Sequence, residues 1–203
     1  RAQPGRAPLP VAATMVASML ILASKSPRRS EILTNAGFQF EVRTAGVPEV
    51  RAASEHPVDY VRRLARAKAA AVAAAAADVV LGADTVVVVG GSVLEKPVDA
   101  ADARRMLGLL SGREHDVITG ICLRRGDGEI VDSESTQVRF IGLSDAEIDA
   151  YVASGEPMDK AGAYAIQGLA AKFIDRVAGC YFNVVGLPIA LFYRHWKRLA
   201  AGG

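Results

Sequence analysis

Residues 79–89 are almost all apolar and β-branched, which predicts a buried strand, yet Asp84 lies in the middle of them. An isolated ionised carboxylate is expensive to bury, so Asp84 must be paired, bind a metal or titrate near neutral pH. Gly82, two residues earlier on the same strand face, leaves room for another group to approach. From the strand alone, Asp84 is equally well a structural partner of a buried arginine or a functional group.

Strands and helices alternate along the rest of the chain. Strands are predicted over 19–23 and 38–44, with paired strands on both sides of the turn at 126–128; the Gly90-Gly91 pair predicts a hairpin into SVLEKP. Helices are predicted from Ser26 to Gly37, over 58–77, over 100–110, from the capping box at 144–147 to Gly155, and from Leu187 onward. AGAYAIQG, KFIDRVAG and YFNVVG resemble short strands. The pattern predicts an α/β fold with a mixed sheet and flanking helices.

The first residues combine arginines, an apolar run and small residues, as a secretory signal peptide does. Because the run contains Met15 and Met19 and leads directly into a strand, we interpret residues 1–18 as an extension ahead of a single domain over 19–203, with the signal peptide as the alternative. No later run approaches the roughly 20 apolar residues of a membrane helix.

The charge and cysteine content exclude several classes of protein. A net charge of +2 and few aromatic residues do not suggest a nucleic-acid binder. The two cysteines, Cys122 and Cys180, form no zinc or disulfide pattern, and we expect reduced thiols in a cytoplasmic protein.

Lys68 occupies an unexpected position on the predicted 58–77 helix. It falls on the face that Val61, Leu64, Ala65 and Val72 define as apolar. Either its stem packs there and the ammonium group reaches solvent, or the ammonium group points into a cleft where it meets an anion.

The SKSPRR segment has the composition of an anion site. Ser24, Arg28 and Arg29 lie where a strand passes into a helix, whose free N–H groups and positive dipole end favour phosphate. A solvated basic turn is the alternative. The segment is not a Walker A loop, because the chain has no GxxxxGK[ST] sequence.

Two further residues can join Asp84. If the hairpin after residue 89 folds back, Lys96 of LEKP comes near the same site, and Glu49 is a loop carboxylate that could share a divalent cation with Asp84. Sparse carboxylates combined with substrate phosphates are the usual ligands of Mg²⁺, so the set predicts a Mg²⁺ or Mn²⁺ site that takes a polyphosphate.

At these residues the sequence resembles the Maf family of nucleoside triphosphate pyrophosphatases, over about residues 20–195. The resemblance rests on ordered motifs: LILASKSPRR, LARAKA, LGADTVV, LEKP, LSGREHDVITG, EPMDKAGAYAIQG and YFNVVGLP. It implies a fold like that of inosine triphosphate pyrophosphatases, with two lobes around a cleft. It also implies cleavage of a nucleoside triphosphate to the monophosphate and pyrophosphate with a divalent cation, and often a homodimer.

The resemblance also implies roles for single residues. Asp84 matches the catalytic proton acceptor, Lys68 and Lys96 match active-site lysines, Glu49 matches a metal carboxylate, and Ser24, Arg28 and Arg29 match the phosphate loop. Gln167 marks the branch that resembles dTTP/UTP pyrophosphatases, with Thr85 and one of the two arginines as further specificity residues. Asp159 and Lys160 also fall on the family pattern, and we include Lys160 among the substrate-binding residues.

The chain departs from the family pattern at two places. Pro48-Glu49 stands where relatives often carry two acidic residues, and Ala165 stands where glycine is common. Two other functions remain alternatives: a nucleotide-binding regulator of cell division with little turnover, and a pyrophosphatase for purine nucleotides of the inosine triphosphate type.

Overall fold

The computed structural model describes residues 19–201, so the interpretation of residues 1–18 lies outside the described residues. Within that range a mixed sheet has the strand order β2-β1-β3-β5-β6-β7, and β4 pairs with β3 off this path. The strands are β1 (Leu20–Leu22), β2 (Phe40–Val42), β3 (Val79–Val89), β4 (Ser92–Leu94), β5 (Glu114–Arg125), β6 (Gly128–Phe140) and β7 (Ile174–Ala178).

Strand direction changes inside the sheet. β1 runs parallel to β2 and β3, whereas β3, β5, β6 and β7 pair antiparallel in succession. The predicted hairpin is present, with β4 antiparallel to β3. The mixed sheet with flanking helices confirms the predicted fold class.

Six α-helices occur in the described range. They are α1 (Pro27–Asn35), α2 (Pro57–Ala70), α3 (Ala100–Leu110), α4 (Asp145–Ala153), α5 (Tyr181–Val185) and α6 (Ile189–Ala201). Ser26, Asp99 and Ser144 are the N-caps of α1, α3 and α4, as the sequence predicts, and both hydrogen bonds of the predicted capping box are formed. No helix in residues 19–201 combines the length and apolar character that crossing a membrane requires.

The predicted helix over 58–77 was wrong beyond Ala70. The chain must turn back there so that Val79 can pair with Leu20 at the start of β3. Asp78 stabilises that return, because its carboxylate accepts hydrogen bonds from the backbone N–H groups of Ala75 at 3.0 Å and Met19 at 3.2 Å. These specific bonds outweigh the weak intrinsic preference of alanine for the helix.

Two of the three predicted strand-like pieces were also wrong. YFNVVG forms the helix α5, because the buried Asn183 amide donates to the Val117 carbonyl at 2.8 Å and to Thr136 Oγ1 at 3.0 Å and so ties the segment to the sheet. AGAYAIQG forms a short 3₁₀ turn and a loop. KFIDRVAG does contain a strand, β7.

Helix α2 lies very close to the sheet because two glycines face it. A Cβ atom on Gly82 of β3 would lie 2.1 Å from the Ala65 carbonyl oxygen, and one on Gly120 of β5 would lie 2.5 Å from the Val61 backbone. Gly120 is the register partner of Asp84. The group for which Gly82 leaves room is therefore the backbone of α2, and this approach positions Lys68 beside Asp84.

Candidate active site

A cavity of about 490 Å³ opens just after the end of β1 and beside the middle of β3, at Asp84 and Thr85. Its wall brings together every residue that the sequence predicted for the site: Ser24, Arg28, Arg29, Glu49, Lys68, Asp84, Thr85, Lys96, Asp159, Lys160 and Gln167. The convergence of these distant segments on one cavity is confirmed; the role of each residue stays a prediction.

Lys68 joins the two predicted metal carboxylates. Its Nζ lies 2.6 Å from Asp84 Oδ1 and 2.7 Å from Glu49 Oε1, and its side chain is only 15% exposed. The ammonium group therefore points into the cavity, and the alternative in which it reaches solvent is wrong. For Asp84, a buried arginine was one of the expected partners. The ion-pair partner of Asp84 is instead Lys68.

The two carboxylates have different environments. Burial raises the pKa of Asp84 above its usual value, although the charge and hydrogen bond of Lys68 and the charge of Arg29 oppose the rise. For Glu49, burial also acts to raise the pKa, but the hydrogen bond from Lys68 and the charges of Lys68, Lys96 and Arg29 outweigh it and leave the pKa low. Asp84 is thus more basic than an ordinary aspartate, which suits a proton acceptor.

Arg29 is buried and binds neutral groups of the protein. Its Nε donates to the Gly186 carbonyl at 2.8 Å, its Nη1 to Ser24 Oγ at 2.9 Å and to the Ala83 carbonyl at 3.0 Å, and its Nη2 to Thr85 Oγ1 at 3.0 Å. Among the described residues, four of its five N–H donors thus have protein acceptors. Arg29 therefore fixes the phosphate loop, β3 and the end of α5 relative to one another.

Thr85 has two protein partners. Its Oγ1 accepts from Arg29 and lies 2.9 Å from Thr119 Oγ1, which is itself fully buried. This hydroxyl is therefore held in one position on the cavity wall, where it orients the guanidinium group of Arg29.

Arg28 pairs with a carboxylate from a distant segment of the cavity wall. Its Nη1 lies 3.3 Å from Asp159 Oδ2, and Lys160 Nζ lies 2.6 Å from Asp159 Oδ1. Burial acts to raise the pKa of Asp159, but Lys160 and Arg28 together hold it below its usual value. Two predicted phosphate-binding cations are thus held on one carboxylate.

Among the residues of the cavity wall that sequence reasoning missed are Tyr60 and Glu95, whose hydroxyl and carboxylate form a hydrogen bond. Burial and the Glu95 carboxylate raise the pKa of Tyr60, so the phenol stays protonated. Glu95 precedes the predicted Lys96 in LEKP, and that position was the only signal in the sequence. Tyr60 appears in the sequence as an ordinary core residue of α2.

The carboxylates of the cavity fit a divalent cation that is shared with a substrate. Among the described residues, no group of three or more His, Cys, Asp or Glu side chains could hold a metal ion alone. Magnesium, however, commonly takes one or two carboxylates and completes its shell with phosphate oxygens and water. Glu49 and Asp84 supply such a pair on one wall of the cavity.

Together these features define a site for a polyphosphate: cations on several sides, a buried basic carboxylate, and an exposed amide, that of Gln167, at the rim. A family model described as Maf-like protein matches residues 19–199, which is most of the chain. The chain belongs to the Maf family.

Curated relatives are similar over most of their length. A dTTP/UTP pyrophosphatase from Koribacter versatilis is 56% identical over 180 residues, covering 88% of this chain and 93% of the relative. A dTTP/UTP pyrophosphatase from Vibrio cholerae is 54% identical over 178 residues, covering 86% and 95%. A solved dITP/XTP pyrophosphatase from Mycobacterium abscessus covers 62% of this chain and 75% of its own, with a TM-score of 0.40 and 16% identity, too slight a likeness to support an argument.

Proposed function

We propose that this protein is a nucleoside triphosphate pyrophosphatase that hydrolyses the α–β phosphoanhydride bond of dTTP and UTP. The observation that carries the proposal is the Asp84 carboxylate, buried and held by Lys68 at 2.6 Å, in the same cavity as the arginine-bearing loop and Gln167. Relatives that are more than half identical over most of this chain are named dTTP/UTP pyrophosphatase, which supports the assignment.

The cavity can neutralise a triphosphate from several directions. Arg28 and Lys160 approach from two sides of Asp159, and Lys96 is exposed at the wall next to Glu95. Fixed positive charges in a partly enclosed site stabilise the charge that develops on the phosphoryl oxygens. A bound Mg²⁺ or Mn²⁺, held by Glu49 and Asp84, would add Lewis-acid stabilisation of the same charge.

In the proposed reaction, Asp84 accepts the proton of the attacking water. The water oxygen forms a bond to the α-phosphorus, its proton passes to Asp84, and the bond from the α-phosphorus to the bridging oxygen breaks as pyrophosphate leaves. Lys68 keeps Asp84 ionised by its charge, while burial makes the carboxylate more basic than usual. Such general-base assistance typically contributes about 10²–10⁴-fold.

Gln167 supports the choice of a pyrimidine base. Its exposed amide lies at the cavity wall and can both donate and accept a hydrogen bond. The O4 and N3–H groups of uracil and thymine offer the complementary acceptor and donor side by side.

A cytoplasmic location and a homodimer remain part of the proposal. Cys122 and Cys180 are both free thiols in the described structure, as is usual in reducing compartments. Light scattering on the purified protein would measure the oligomeric state.

The first prediction is that Asp84→Asn lowers kcat on dTTP and UTP by at least about 10²-fold while the protein stays folded, because the amide cannot accept the proton. Release of monophosphate and pyrophosphate should be measured with Mg²⁺ or Mn²⁺ over a panel that includes ITP, XTP and the canonical triphosphates. Asp127→Asn, at an exposed hairpin turn, is the matched control and should keep wild-type turnover.

Retention of wild-type turnover by Asp84→Asn would refute its role. Tight nucleotide binding by the wild type without product would favour the regulator instead, and a preference for ITP or XTP would favour the purine enzyme.

A further inference from the structure

We propose that Tyr151 and Glu156 are positioning residues for nucleotide selectivity: they hold the turn that carries Gln167 so that its amide is aligned before the base arrives. The inference rests on the proposed function, since it assumes that Gln167 contacts the base. Both residues lie outside the set that the sequence predicted for the site.

The turn is held on both sides of Gln167. On one side, the Tyr151 hydroxyl accepts a hydrogen bond from the Ala165 backbone N–H at 3.3 Å. On the other side, both carboxylate oxygens of Glu156 accept from the Leu169 backbone N–H at 3.1 Å. The Tyr151 hydroxyl in turn donates to Glu156 Oε1 at 2.8 Å. The two side chains therefore act as one unit with contacts at residues 165 and 169.

The close approach of Glu156 to this turn depends on a glycine. A Cβ atom at position 168 would lie 2.3 Å from Glu156 Oε1. The backbone φ of Gly168 is −106°, which other residues adopt readily, so a larger residue there would conflict with the Glu156 carboxylate and displace it, not strain the backbone. The carboxylate thus packs directly against the peptide that follows Gln167.

Tyr151 is itself rigid. It is 3% exposed on α4, and its ring packs edge-on against Phe173 with centroids 5.5 Å apart. Gln167, by contrast, is exposed. Since a free side chain must lose conformational entropy on binding, holding its backbone in advance reduces what the substrate must organise.

The same unit connects the base side of the cavity to the phosphate side. Lys160 Nζ donates to the Glu156 backbone carbonyl at 2.6 Å and pairs with Asp159, the partner of Arg28. The distance between the base-binding amide and the phosphate-binding cations is therefore set through one short segment.

The second prediction is that Tyr151→Phe and Glu156→Ala lower kcat/KM for dTTP and UTP by at least about tenfold, with kcat/KM for a purine triphosphate changed by less than about threefold. Displacement of a positioned group by 1 Å can cost up to about 10²-fold, so an effect of this size is expected. Glu156→Gln keeps an acceptor for the Leu169 N–H and should restore part of the selectivity. The measurement is steady-state kinetics on both nucleotide classes, together with the melting temperature of every variant.

A matched control and a double mutant separate positioning from stability. Glu147 lies on α4, the helix that carries Tyr151, and its carboxylate accepts the Ser144 N–H at 2.8 Å in the capping box. The control variant Glu147→Ala should lower the melting temperature and leave selectivity unchanged. In a Gln167→Ala background, Tyr151→Phe and Glu156→Ala should have no further effect on selectivity, because coupled residues are not additive.

Equal losses for purine and pyrimidine substrates in Tyr151→Phe, or full additivity with Gln167→Ala, would overturn the inference even if Glu156→Ala fails to fold. A wild-type enzyme that hydrolyses all triphosphates equally would instead overturn the proposed function, and the inference with it, before any variant is compared.

Discussion

The Asp84 carboxylate and the Lys68 ammonium group depend on each other. Asp84 is buried inside a strand, and without a cation it would be driven to the neutral form. Lysine suits this place because its compact charge can meet Asp84 and Glu49 at once, at 2.6 and 2.7 Å, whereas the planar fork of arginine is built to bind a single carboxylate with two parallel bonds. The pair keeps a carboxylate both ionised and basic.

His115 gives a prediction about pH and stability. It is buried beside Tyr164, and burial lowers its pKa to about 4 from an ordinary 6.5. Between these two values the unfolded chain binds a proton that the native chain does not, so stability is present above pH 6.5 and falls as the pH drops toward 4. The third prediction is that His115→Gln removes this part of the acid destabilisation, about 3.4 kcal/mol at most because one pKa unit corresponds to about 1.4 kcal/mol.

Denaturant unfolding of wild type and His115→Gln at a series of pH values measures this difference. Parallel pH profiles of the unfolding free energy for the two proteins would show that His115 does not titrate as its burial indicates.

Single residues were predictable where they broke a local pattern. Asp84 stands out in an apolar strand and Lys68 on an apolar helix face, and the structure places them together. The position of Arg29 could not be predicted in the same way, since two of its acceptors are the backbone carbonyls of Ala83 and Gly186, which any residue type would supply. Tyr151 gave no signal, and Glu156 appeared only as the first residue of the EPMDKAGAYAIQG motif without a role, because their partners are backbone N–H groups of the turn.

The contact of α2 with the sheet sets the position of Lys68, and it exists because Gly82 and Gly120 have no side chains. The fourth prediction is that Gly82→Ala lowers the unfolding free energy by about 1–3 kcal/mol through overpacking and also lowers kcat, because the helix and Lys68 must shift. Circular dichroism with denaturant, and product release, measure the two effects.

Gly108 is the matched control for this substitution. It lies inside α3, and a Cβ atom there would have nothing within 4 Å. Gly108→Ala should therefore raise stability by about 0.5–1 kcal/mol through helix propensity, with unchanged kcat. If both variants behaved alike, the helix–sheet contact would not be the reason for Gly82.

The predicted boundaries of helices and strands match the structure where caps and turns mark them. The predictions were wrong where tertiary contacts determine the boundary. The strand over 79–89 and the helix over 100–110 have the predicted limits. The alanine-rich end of the predicted 58–77 helix and the helix α5 do not follow local pattern, since the pairing of Val79 and the buried Asn183 amide determine them.

The cavity joins segments that lie far apart along the whole chain, from Ser24 to Gly186. A ligand that binds there binds only the folded protein, so it should stabilise the whole molecule. The fifth prediction is that UTP with a non-hydrolysable α,β-methylene bridge, at about 100 times its Kd, raises the unfolding free energy by about 2.7 kcal/mol.

Thermal unfolding with and without this analogue measures the effect, and a wild-type protein with no shift would exclude the cavity as the nucleotide site. Lys96→Gln, at the cavity wall, should reduce the shift at a fixed concentration of analogue, whereas Lys197→Gln, exposed on α6 outside the wall, should not.

The ion pair between Arg28 and Asp159 has a consequence for substrate binding and product release. If a phosphate group binds Arg28, as the sequence predicts, it replaces the Asp159 carboxylate, so one anion is exchanged for another at this cation. We therefore expect the Asp159 carboxylate to compete for Arg28 both with the incoming nucleotide and with the product left after cleavage.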